Sequence, residues 1–109
     1  MESWDIRSLD VAAHRPEVLH SADGAARLIA ILLPGGEEMQ THHTHEHTYL
    51  LVADGEVEVV QDGETTQAGP GFLAHFEEGE NRRVLARSDA RIMLILAPWP
   101  GAGHPSRRD

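Results

Sequence analysis

The sequence contains no cysteine and no lysine. Without cysteine there can be no disulfide and no thiolate metal ligand, so a bound metal would need imidazole or oxygen donors. Positive charge is scarce as well: nine arginines stand against 18 acidic residues, for a formal net charge of −9. Only Arg82-Arg83 and Arg107-Arg108 are paired, whereas a phosphate-binding surface needs clustered basic charge. A nucleic-acid partner is therefore not expected. Long apolar runs are absent too. The longest, Ile92 to Pro98, is far too short to span a bilayer and suits a buried strand. No membrane partner is expected. The first ten residues, MESWDIRSLD, are acidic and polar and lack the features of a signal or transit peptide, so a cytoplasmic location is the expectation.

What is present points to a small all-β domain. A chain of 109 residues with a 40% apolar fraction forms one domain around one core. Short strand-like segments alternate with turn signals. PEVLHS and ARLIAILLP flank Asp23-Gly24, as in a hairpin, and TYLLVAD leads to a turn at Asp54-Gly55. In EVEVVQ, Val57 and Val59 alternate with Glu56 and Glu58, the pattern of a strand with one wet face. Asp62-Gly63 turns into ETTQA, and Gly69-Pro70-Gly71 into FLAHF; RRVLARS and ARIMLILA follow. The last strand is expected to stop at PWPGAGHP, where prolines remove ladder donors. RSLDVAAH is a candidate for a single helical turn, and HPSRRD for a mobile end. Turns recurring every eight to twelve residues suit a sandwich or barrel.

Residues Met39 to Val59 hold four of the chain's eight histidines, His42, His43, His45 and His47. Their surroundings resemble the first motif of the cupin superfamily, with Gly36, His42, position 44, position 48 and Gly55 in frame. Gly71, position 77, Gly79, position 82 and position 86 fit the frame of its second motif. The resemblance covers roughly residues 25–98 and implies a double-stranded β-helix, the jelly-roll cupin barrel. It divides the chain into an N-terminal segment with the first strand (1–24), the barrel (25–98) and a tail (99–109), all one domain. In metal-binding members, three histidines and a glutamate hold a divalent ion inside the barrel. Here the first ligand position is His42, but the others carry Thr44, Thr48 and Arg82.

A metal could instead use substitute ligands. His43 with His45, or His45 with His47, forms a His-any-His pair, and residues i and i+2 on one strand share a face. His75, on the strand opening the second motif, or Glu46 would supply a third donor. Imidazole donors suit zinc, iron or nickel, and manganese completes the set implied by the resemblance. The plainer alternative is that these histidines are ordinary polar residues at a strand end.

Arg82 constrains the choice. Two like charges about 4 Å apart cost about 4 kcal/mol at an effective dielectric near 20, and a divalent ion roughly doubles that. Arg82 therefore either points outward, as one of two solvated arginines, or offers its guanidinium to an anion inside the barrel. Glu77, Glu78 and Glu80 form what looks like a solvated acidic turn. There is no nucleophile elbow, phosphate-binding glycine loop or dinucleotide fingerprint.

Three functions are compatible with these residues. One is a metal-dependent enzyme such as a dioxygenase, isomerase or decarboxylase. The second is a non-catalytic sensor or binder of a small molecule or anion, and the third is a dimerising interaction module. The resemblance also implies a homodimer and a small-molecule ligand in the barrel.

Overall fold

The computed structural model describes residues 1–41 and 44–107, with residues 40 and 41 as backbone only. Nine strands are described: β1 (Glu17–Ser21), β2 (Ala25–Leu33), β3 (Glu38–Thr41), β4 (His47–Asp54), β5 (Val57–Gln61), β6 (Glu64–Ala68), β7 (Leu73–Phe76), β8 (Arg82–Ala86) and β9 (Ala90–Trp99). They form two antiparallel sheets, one in the order β1-β2-β9-β4-β7 and the other β3-β8-β5-β6. No helix is present among the described residues, and none is long and apolar enough to cross a membrane.

The period-two pattern decides which side chains enter the space between the sheets. From β4 these are Thr48, Leu50 and Val52, which pair across to Leu96, Leu94 and Ile92 of β9. From the other sheet Val57 and Val59 pair with Ala86 and Val84. Leu50, Val52, Val84 and Ile92 are fully buried. Glu58, between Val57 and Val59, turns outward and meets Arg87 at 2.6 Å.

Two Asp-Gly turns do different jobs. Asp62 (φ 52°) and Gly63 (φ 78°) are both left-handed, the type I′ geometry that joins β5 to β6. Gly55 (φ 82°) carries the chain from one sheet to the other, packed against the Asp89–Ala90 backbone.

Two expectations need correction. β3 is a strand that its polar residues concealed; it forms because β8 offers a ladder edge, with Glu38 opposite Leu85. β9 runs past Pro98 to Trp99, since the ladder shifts register between Ala25 and Arg27 of β2 and leaves the proline exposed, where no donor is needed. A single i to i+4 turn near the start overlaps the RSLDVAAH candidate: the Leu9 N–H bonds to the Asp5 carbonyl at 2.9 Å, and Arg91 donates to the Ile6 and Leu9 carbonyls. The C-terminal residues through Arg107 fold back in two turns, with His104 packed 4.5 Å from the Trp99 ring.

Candidate metal site and barrel mouth

β4 presents opposite chemistry on its two faces. Thr48 looks inward, whereas His47 and Tyr49 look out from the five-stranded sheet. β7 pairs with β4 so that His75 lies opposite Tyr49, also on the outer face. The His47 and His75 rings stack with centroids 5.1 Å apart, and His47 Nδ1 lies 2.9 Å from His75 Nε2. Glu77, just past the end of β7, brings its Oε2 to 3.6 Å from the same Nδ1. One nitrogen from each ring and one carboxylate oxygen thus lie within 4.8 Å of one another.

Two imidazoles and a carboxylate are a borderline-to-hard donor set that suits zinc, nickel, iron or manganese. The other nitrogen of His47, Nε2, faces Glu78 Oε1 at 3.7 Å. A carboxylate behind a ligating histidine holds the proton on the far nitrogen and leaves the near lone pair for the ion.

On the inner side, a cleft of about 530 Å³ opens at the barrel mouth, lined by Arg27, Ile29, Thr44, Glu46, Leu96 and Trp99 among others. The Arg27 guanidinium lies 4.6 Å from the Trp99 ring centroid. Thr44 Oγ1 donates to the Glu46 carbonyl at 2.9 Å and lies 3.0 Å from Thr48 Oγ1; a hydroxyl has one proton, so Thr48 is the donor of the second bond. Glu46 is 1% exposed, and its Oε2 accepts the Gly101 N–H at 2.8 Å.

Arg82 is buried, and its guanidinium sits 4.7 Å from the Phe76 ring centroid. It is not one of a solvated pair; Arg83 alone turns outward, to Glu38 at 3.0 Å. Burial pulls the Arg82 pKa below the usual arginine value, with the charge of Glu80 partly opposing that shift.

A cupin domain family model matches residues 28–98, most of the chain. The chain belongs to the cupin family. Among curated proteins, this cupin is 30% identical over 81 residues to polyketide synthase CurC of Streptomyces cyaneus, a match covering 70% of this chain and 53% of that one. It is 31% identical over 77 residues to a β-D-galactosidase of Mycobacterium tuberculosis, covering 71% of this chain and 62% of that one. The cupin thus spans less than two thirds of either relative. Among solved structures, an RmlC-like cupin protein from Desulfovibrio desulfuricans superposes with a TM-score of 0.79 at 21% identity, covering 90% of this chain and 97% of that one. That likeness shows the jelly-roll fold.

The cupin frame also shows where the residues depart from an interior metal site. The described ligand positions carry two hydroxyls and a guanidinium, Thr44, Thr48 and Arg82, a set that does not fit a divalent cation. His42 and His43 lie outside the described residues. Of the other sequence candidates, the structure joins His47 to His75 and separates both from His45. His45 precedes β4 and faces the barrel mouth, 5.7 Å from His104, so the expected pairing of His45 with His47 on one strand face does not form. Glu77 was missed as a donor. The signal for it was available, because Glu77 follows His75 by two residues and strand parity puts it on the same face.

Proposed function

We propose that this cupin binds one divalent transition metal, zinc, iron, manganese or nickel, at His47, His75 and Glu77 on the outside of its barrel. The convergence of two imidazoles and a carboxylate carries this reading. In the same proposal, the barrel-mouth cleft takes a small organic molecule. The five-stranded sheet separates the two sites, which favours binding or sensing over a reaction in which the ion touches the barrel ligand. The relatives are named for two unrelated activities, so the shared fold does not choose a reaction.

The test is thermal unfolding with and without added ion. A ligand at about 100 times its Kd stabilises by about 2.7 kcal/mol, which for about 100 residues raises Tm by roughly 10–20 °C. His75→Ala should remove that rise. A wild-type Tm indifferent to all four metals would defeat the proposal.

A second reading rests on Arg27 at the cleft and Arg82 within the barrel: the small molecule carries a carboxylate. Small carboxylates should then raise Tm in wild type and not in Arg27→Gln.

A further inference from the structure

The strand ladder that places His75 ends one residue too early to place Glu77, because the last β4–β7 pair is Thr48 with Phe76. The position of Glu77 is set instead by the turn that follows, residues 77–80. Chemistry divides that acidic turn. Glu77 and Glu78 both reach His47, whereas Glu80 bonds back to its own turn. Its Oε1 accepts the Glu77 N–H at 2.8 Å, and the Glu80 N–H donates to the Glu77 carbonyl at 3.3 Å. The second carboxylate oxygen, Oε2, accepts a hydrogen bond from Gln61 Nε2 at the end of β5, in the opposite sheet. Gly79 (φ 79°) donates its N–H to the Thr44 carbonyl at 3.0 Å and ties down the same turn. The charge of Glu80 also acts on the buried Arg82, an attraction that draws it away from the carboxylates beside His47.

We propose that Glu80 is the positioning residue of the metal site: by holding the Glu77 backbone it places the carboxylate donor of the triad and so sets how tightly the ion is bound. The inference rests on the metal reading above. The Glu77 side chain is exposed, and an exposed glutamate on an unheld turn must give up backbone and rotamer freedom when it ligates an ion. The Glu80 clamp removes the backbone share of that cost before the ion arrives. It serves two contacts at once, because Glu78, the carboxylate behind His47, stands on the same turn. Both Glu80 oxygens are already engaged, one by Glu77 and one by Gln61, so Glu80 acts through Glu77 rather than by touching the ion.

The experiment is competition for zinc between a chromophoric chelator and metal-free protein purified without an affinity tag. Losing a residue that orients a metal ligand weakens affinity by about 10–100-fold, and Glu80→Ala is expected in that range. Glu80→Gln keeps a carbonyl acceptor for the Glu77 N–H and should recover most of the loss. Gln61→Ala, which removes the tether to β5, should weaken zinc binding in the same direction but by less. Gly36→Ala is the control for a purely structural effect. Gly36 (φ 86°) lies in the turn before β3 with open space for a Cβ, so its substitution strains the backbone away from the triad and should leave zinc affinity unchanged. Zinc held as tightly by Glu80→Ala as by wild type, with none held by His75→Ala, would overturn the positioning role and leave the metal reading standing. Equal weakening in Glu80→Gln and Glu80→Ala would overturn it too, as would weakening of that size in Gly36→Ala. Wild-type affinity in Gln61→Ala would do so whether or not Glu80→Ala folds. A wild-type chain that takes no zinc from the chelator would remove both readings.

Discussion

Glu46 and His47 are neighbours in sequence, yet one is buried at the barrel mouth and the other faces outward from the sheet. That one-residue alternation sets the chemistry of the two sides. Glu46 ties the C-terminal turn to the barrel through the Gly101 N–H, a close approach in which a side chain at 101 would collide with the His45 carbonyl. Removing the carboxylate leaves a buried donor unsatisfied, so Glu46→Ala should cost about 1–3 kcal/mol in urea unfolding. Glu46→Gln retains a carbonyl acceptor and should recover most of that loss. At this scale the histidine cluster was legible in the sequence, but its division was not. His45 lies before the strand begins, so period-two parity could not be carried across it, and Glu77 passed for a solvated turn although His75, two positions before it, offered a same-face signal. Its other partner, His47, is 30 positions away.

The strands were largely legible because Asp-Gly turns and alternating valines state their own periods. β3 was not, since four polar-rich residues become a strand only against β8. Pro98 misled for the opposite reason: a proline that usually ends pairing sits at a register shift and is accommodated. The turns allow a direct comparison. Gly63 has open space where a side chain would go, so Gly63→Ala should cost only the left-handed penalty of about 1–2 kcal/mol. Gly55 has the same sign of φ, but its Cβ would overlap the Asp89 carbonyl oxygen and come within 2.7 Å of the Ala90 Cα. Gly55→Ala should therefore cost roughly 3 kcal/mol or more by adding backbone displacement to that penalty. Comparable urea midpoints for the two variants would contradict this account of the inter-sheet crossing.

As a whole molecule, the cupin keeps the family's glycine frame and barrel while its described interior positions carry Thr44, Thr48 and Arg82 in place of metal donors. The barrel was legible because corner glycines and strand spacing are local features. The candidate site was only partly so, because which face a histidine occupies depends on how β4 and β7 register against each other. The buried arginine and the outward triad are consistent with one another: a cation is disfavoured where the guanidinium lies and favoured where two imidazoles and a carboxylate converge. The central claim is the location of the ion. Elemental analysis of tag-free protein, loaded with zinc and dialysed, tests it most directly. The account predicts about one zinc per chain in wild type and in Arg82→Gln, falling close to zero in His47→Ala and in His75→Ala. Retention of a full equivalent by both histidine variants would place the ion elsewhere and contradict the account.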